Sequence, residues 1–277
     1  MPSAKELYLD LLKQALTFNL WDEPPQQAEP DKTLWDAQDR PVFEKYEQAL
    51  KSQGLQIVKP VSVTPQQREE GLIWPGYADS MIGMKRMDNV KFAVETVLAE
   101  QIPGDVIEAG VWRGGASIFM RGILAAHGIT DRKVYVADSF AGLPKPDPAT
   151  YPADEGDTHH TVDYLAVSLE QVQNNFKRYH LLDDQVVFLQ GWFSDTLPSA
   201  PMENISVLRA DGDMYSSTID ILNNLYPKLS RGGFCIIDDY GAIPACKKAV
   251  DDYRRQHQIS DEMIEIDWTG LYWRKQH

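Results

Sequence analysis

From residue 84 onward, helix-like stretches alternate with short apolar runs, and this alternation constrains the fold more than any other feature of the chain. The periodicity predicts helices over 84–100, 115–127, 164–180, 215–229 and 244–257. Between them stand "DVIEAG" (105–110), "KVYVAD" (133–138), "QVVFLQ" (185–190), "ISVLRA" (205–210) and "GFCIID" (233–238), followed by two strands near 262–274. Continuous apolar strands are those buried on both faces, so the pattern predicts an α/β fold with a mostly parallel sheet and helices on both sides. Ligands of such sheets sit at the carboxyl ends of the strands.

The first 83 residues read differently. Leu7, Leu9, Leu11, Leu12, Ala15 and Leu16 recur at helical spacing, predicting an amphipathic helix over 4–18. Residues 20–40 are rich in proline, glutamine and acid, as in a linker or a partner-facing arm, and a short helix is expected over 41–53. We therefore divide the chain into a helical N-terminal extension and cap (1–83) and a Rossmann-like domain (84–277). Lys and Arg total 27 against 41 Asp and Glu, a formal charge of -14. With no basic block, nucleic acid and anionic membrane are excluded as expected partners. Cys235 and Cys246 show no CxxC spacing and read as reduced thiols. The start of the chain lacks a signal peptide pattern and no apolar run is long enough to span a bilayer, so a soluble, cytoplasmic protein is expected.

Polar chemistry collects where each strand ends: Glu108 and Gly110, Asp138 and Ser139, Gly191 with Trp192 and Phe193, Asp211 and Asp213, Asp238 and Asp239. The turn "EAGVWRGGAS" (108–117) is glycine-rich and enters a helix, which suits a ligand approaching backbone N–H groups. It lacks GxGxxG, since Trp112 stands where a second glycine would admit a pyrophosphate. Asp138 ends the second strand and can accept both hydrogen bonds of a ribose diol; alternatively, it caps a turn while Gly114 and Gly115 permit tight packing. Asp211 and the Asp238–Asp239 pair lie on strands that can be neighbours ~4.8 Å apart. Carboxylates brought that close repel unless a cation sits among them, and an all-oxygen set selects a hard ion such as Mg2+. The plainer alternative makes Asp213 the cap of the helix beginning near Tyr215 and leaves Asp238 and Asp239 as exposed turn residues.

The chain resembles the macrocin O-methyltransferase family, the Mg2+-dependent sugar-methylating enzymes of macrolide and aminocoumarin biosynthesis. The resemblance rests on "LYLDLLK", "SMIGMKRMDN" (80–89), "PGDVIEAGVWRGGASIFMRG" (103–122), "VADSFAGLPKP" (136–146), "LLDDQVVFLQGWFSDTLP" (181–198), "LRADGDMYSSTIDIL" (208–222) and "GGFCIIDDYGAIPACKKAV" (232–250). It implies a class I S-adenosylmethionine fold, methyl transfer to the hydroxyl of a small sugar-bearing acceptor, bound Mg2+, and assembly as a homodimer or higher homo-oligomer. By position it implies Asp211, Asp238 and Asp239 as metal ligands and Asp213 as general base. Glu108, Gly110, Val111, Trp112 and Ser117 would face the methionine part of the cofactor, Asp138 and Ser139 its ribose, and Gly191, Trp192 and Phe193 its adenine edge. Ser80 and Met81 would line the same pocket. Residues 20–70 and 147–164 depart from the family pattern, which places acceptor differences there.

His159 and His160 are candidates for lid or acceptor contacts, although adjacent histidines in a polar loop are commonly solvated. Residues 143–163 lack periodicity and read as a mobile lid. Trp74, Tyr77 and Met81 are candidate pocket walls, whereas Met84 and Met87 at helical spacing suit the core. Two other functions fit the same residues: methylation of a hydroxyl on a polyketide or phenolic acceptor, and a non-catalytic ligand-binding module. Four aspartates at two strand ends argue against the second, since a module without chemistry has no need to bear their repulsion.

Overall fold

The computed structural model describes residues 1–27 and 39–276. Trp35 and most of the expected arm lie outside the described residues. The chain begins with α1 (Ala4–Leu16), α2 (Asp39–Lys51), α3 (Pro65–Glu70) and α4 (Gly83–Ala99). There follow β1 (Asp105–Ala109), α5 (Gly115–Ala126), β2 (Val134–Asp138), α6 (Leu169–Arg178), β3 (Val186–Gln190), α7 (Phe193–Thr196) and β4 (Ile205–Ala210). The chain then forms α8 (Tyr215–Leu225), β5 (Leu229–Ile237), α9 (Pro244–Gln256), β6 (Ile264–Glu265) and β7 (Leu271–Arg274). A two-residue antiparallel ladder joins Gln26–Gln27 to Val58–Lys59 outside the main sheet.

The seven strands run in the order β3-β2-β1-β4-β5-β7-β6. The first five are parallel, and β7 is antiparallel to both β5 and β6. Ala109 pairs with Ala137 and with Ala210, which pairs with Ile237. The carboxyl ends of four strands are therefore level. Backbone bonds continue one residue further, from Gly110 N to Ala137 O (2.9 Å), Asp211 N to Ala109 O (2.8 Å) and Asp238 N to Ala210 O (3.0 Å). Gly110, Asp138, Asp211 and Asp238 thus stand side by side on one edge, as the apolar runs predict.

Period-two alternation along each strand sends neighbours to opposite faces. Val106, Val136 and Val207 share one core with α4, α5 and α6, and Leu9, Leu12 and Leu16 of α1 belong to it. Ile107, Tyr135 and Leu208 pack against α8 and α9 on the other side. The N-terminal helix is therefore continuous with the sheet core. It begins at Ser3, whose hydroxyl accepts from Glu6 N while the Glu6 carboxylate accepts from Ser3 N, a reciprocal cap.

Two boundaries and one helix differ from expectation. The helix predicted from residue 164 starts at Leu169, because 3-10 turns at His159–Thr161 and Asp163–Leu165 come first and Ser168 then caps it. α8 ends at Leu225, where Pro227 tightens the chain into a 3-10 turn. α3, which has no apolar stripe to signal it, depends on Pro65 at its first turn and a Thr64–Gln67 capping box. Both cysteines are buried and free. Among the described residues no helix is long and apolar enough to cross a membrane.

Candidate active site

The turn after β1 is shaped by left-handed backbone at Gly110 (φ 89°), Trp112 (φ 47°) and Gly114 (φ 87°). At Gly110 a Cβ would lie 1.7 Å from the carbonyl oxygen of Asp211, so glycine is what lets the ends of β1 and β4 close together. Across this turn, Asp138 accepts from the N–H of Val111 (2.8 Å) with one oxygen and from Phe140 (2.7 Å) with the other. Burial raises its pKa, and these backbone donors work against the rise. Asp138 pins the turn, as the capping alternative holds, and it also borders the cavity.

That cavity, about 610 Å³, is of a size usual for small-molecule sites. Ser80 and Met81 border it, as do Glu108, Gly110, Val111, Trp112, Asp138, Ser139, Gly191, Trp192 and Phe193. Ser117 is a correction: it is fully buried and its hydroxyl donates to Glu108 instead of reaching the cavity. One turn into α5 its side chain points back at β1. Glu108 accepts from Ser117 at one oxygen and from Arg209 Nη1 (2.6 Å) at the other. Its pKa is pushed up to about 7, because burial outweighs both partners.

Asp211, Asp213 and Asp239 each bring a carboxylate oxygen to within 4.8 Å of the others. Asp213 has φ 55°, and its backbone N–H donates to Asp239 Oδ2 (3.3 Å). Burial, and then repulsion from Asp211, push Asp213 up to about 7, with His159 acting in the opposite sense. Burial and neighbouring carboxylates also raise Asp211 and Asp239. Asp238 differs from the expected trio. It borders the cavity, but one oxygen accepts from Arg86 and the other from Arg209, so in this arrangement it is a counter-ion first. Arg209 Nη1 also reaches Asp211 Oδ2 (2.8 Å), and Arg86 Nε holds Asp267 (2.9 Å). The turn-residue alternative fails, because Asp238 and Asp239 are 4% and 9% exposed.

Asp213 does not cap α8 either. Asp154, 1% exposed, reaches in from the loop after β2, and its two oxygens accept from the N–H groups of Tyr215 (2.6 Å) and Ser216 (3.0 Å). The stretch read as a lid is thus tied to the helix that follows Asp213. Asp157 accepts from the backbone N–H of His159 (2.8 Å) and pairs with its Nδ1 (2.8 Å). His159 borders the cavity and His160 does not. Trp112 donates its indole N–H to Tyr164 O (2.9 Å), and Trp74 stacks on the Tyr164 ring at 5.2 Å. Trp74 borders the cavity, Tyr77 lies outside it, Met87 is core, and Met84 sulfur accepts from Thr17 (3.3 Å).

Arg86, Arg209, Asp154 and Asp157 are the site residues that the sequence reading missed. Arg209 carried a usable signal: an arginine inside an apolar strand has to meet buried acid. Asp154 and Asp157 carried none, since their partners depend on how an aperiodic loop folds back.

The sheet order, the glycine turn and the acids at the strand ends define a class I S-adenosylmethionine-dependent methyltransferase fold. The family described as macrocin-O-methyltransferase (TylF) matches residues 5–275, and the chain belongs to it; it is an O-methyltransferase. It is 48% identical over 272 residues to 8-demethyl-8-(2,3-dimethoxy-alpha-L-rhamnosyl)-tetracenomycin-C 4'-O-methyltransferase of Streptomyces olivaceus, covering 98% of this chain and 93% of that enzyme. It is also 48% identical over 274 residues to mycinamicin III 3''-O-methyltransferase of Micromonospora griseorubida, covering 98% and 96%. The solved structure of the O-methyltransferase NovP matches with a TM-score of 0.84 at 43% identity, over 99% of this chain and all of that one.

Proposed function

We propose that this O-methyltransferase takes its methyl group from S-adenosylmethionine and delivers it to a sugar hydroxyl of a glycosylated natural product, with Mg2+ held among the strand-end aspartates. The observation that carries the reading is the convergence of Asp211, Asp213 and Asp239 on the cavity that also receives the glycine turn and Asp138. In this reading Asp138 accepts the ribose diol, Ser80 to Ile82 and Gly110 to Trp112 border the methionine end, and Gly191 to Phe193 the adenine edge, all of them lining one cavity.

The donor set suits a hard cation: it is all oxygen, and its pKa values are raised by burial first and then by mutual repulsion, both of which a divalent ion would offset. Asp211 and Asp239 would hold the ion, joined by lone pairs of Asp238 that Arg86 and Arg209 leave free. When bound, such an ion supplies Lewis acidity and a template for the acceptor oxygen. Asp213, whose carboxylate lies within 4.8 Å of those of Asp211 and Asp239, would take the acceptor proton as general base. The walls hold acceptor and donor in line, an effect that can supply ~7 to 11 kcal/mol of a barrier.

The sugar acceptor is supported by the relatives: the Streptomyces enzyme acts on a rhamnosyl-bearing tetracenomycin C. Labelled methyl donor incubated with glycosylated acceptors and with their sugar-free cores tests this. Label on the sugar-bearing compounds alone is expected. Transfer to a sugar-free core would establish the alternative, methylation of a non-sugar hydroxyl.

A further inference from the structure

The wall carrying Ser80 and Met81 belongs to residues 71–82, a stretch with no helix or strand of its own between α3 and α4. Without an internal ladder, its position is set by the groups that receive its backbone bonds. Arg113 Nη1 donates to the carbonyls of Gly76 (3.0 Å) and Ala78 (2.8 Å), and Asp79, 8% exposed, is bound through its N–H, its carbonyl and its side chain. Asp79 N and Ser80 N both donate to the Leu16 carbonyl at the end of α1 (2.8 and 3.0 Å). Asp79 O accepts from Gly115 N (2.9 Å) at the start of α5, where a Cβ on Gly115 would lie 2.4 Å from it. The side chain accepts from the Tyr179 hydroxyl (2.7 Å) just past α6. Asp79 therefore joins three helices at one point, next to two residues that line the cavity.

We propose that Asp79 and Tyr179 are positioning residues for the cofactor, clamping the Ser80–Met81 wall against the glycine turn. This rests on the S-adenosylmethionine reading of the cavity. Among the described residues the Tyr179 hydroxyl is the hydrogen-bond donor to the Asp79 carboxylate, and removing it strands a buried carboxylate while leaving the backbone bonds and the Arg113 contacts in place. A wall seated only a tenth of the time raises the apparent Kd about tenfold, because affinity scales with the competent fraction.

The test is calorimetric titration of S-adenosylhomocysteine into the wild type, Tyr179→Phe, Asp79→Ala, Asp79→Asn and a control, Tyr226→Phe. The control loses the acceptor of the Trp273 indole N–H (3.2 Å) in the core on the other face of the sheet. Tyr179→Phe and Asp79→Ala are expected to raise Kd about tenfold. Asp79→Asn keeps an acceptor for the hydroxyl and should stay within about threefold of wild type, and Tyr226→Phe should lower Tm without changing Kd. Should Tyr179→Phe fold too poorly to titrate, Asp79→Ala decides. Wild-type affinity in the folded clamp variants would overturn the proposal, whereas a wild type that does not bind S-adenosylhomocysteine would overturn the cofactor reading itself.

Discussion

Asp154→Ala tests how far the loop after β2 is built into the site. Among the described residues Asp154 accepts from the N–H groups of Tyr215 and Ser216 at the start of α8, and it is nearly fully buried. Losing a helix cap to alanine costs ~0.5 to 2 kcal/mol, and losing a negative charge at a helix N-terminus a further ~0.3 to 1 kcal/mol. Both bonds are charge-assisted, which places the sum near 2 to 3 kcal/mol, or a Tm lower by about 5 to 10 °C for a chain of this size. Because α8 begins two residues after Asp213 and the same loop carries His159, acceptor methylation should fall more than S-adenosylhomocysteine affinity. Scanning fluorimetry and calorimetry on the same preparation separate the two effects. A Tm within about 1 °C of wild type would show that Asp154 does not hold α8, and the loop would revert to a free lid.

Two further substitutions probe the strand edge. Gly110→Ala drives a Cβ toward the Asp211 carbonyl at a left-handed φ, costing about 3 kcal/mol or more from overpacking and strain together; denaturant melts should show it, and wild-type stability would refute the close β1–β4 approach. Asp138→Ala strips the acceptor from two backbone N–H groups and from the proposed ribose contact, so S-adenosylhomocysteine affinity should drop by about one to two decades, and unchanged calorimetry would remove Asp138 from the site.

Much of this edge was legible in the sequence, for a physical reason. Buried parallel strands need continuous apolar residues, so "VIEA", "VYVA" and "SVLRA" give away their own ends, and whatever polar residue follows must stand at the ligand-binding edge. Hence Gly110, Asp138, Asp211 and Asp239 were found from the pattern alone. Side-chain direction was not legible. Ser117 turns toward Glu108, and Asp238 turns toward two arginines that come from positions far apart in the chain, so its pairing depends on the assembled sheet. Asp154 finds its partners only once an aperiodic loop has folded back onto α8. The family resemblance supplied roles that periodicity cannot, and the macrocin-O-methyltransferase match over residues 5–275 bears that resemblance out.

In the proposed reading, Asp211 and Asp213, separated by Gly212 alone, divide metal binding from proton removal. Asparagine tolerates the left-handed backbone that Asp213 adopts, so Asp213→Asn changes chemistry with little strain. The direct measurement is methylation rate against Mg2+ concentration for wild type, Asp211→Asn and Asp213→Asn, with an EDTA arm. Asp211→Asn should shift half-saturation to higher Mg2+ and recover part of its rate in excess metal. Asp213→Asn should keep the wild-type half-saturation while kcat falls ~100- to 10,000-fold without rescue. Identical, metal-rescuable behaviour of the two variants would make Asp213 a ligand within the Asp211–Asp239 cluster, and a full wild-type rate in EDTA would contradict the metal-assisted account.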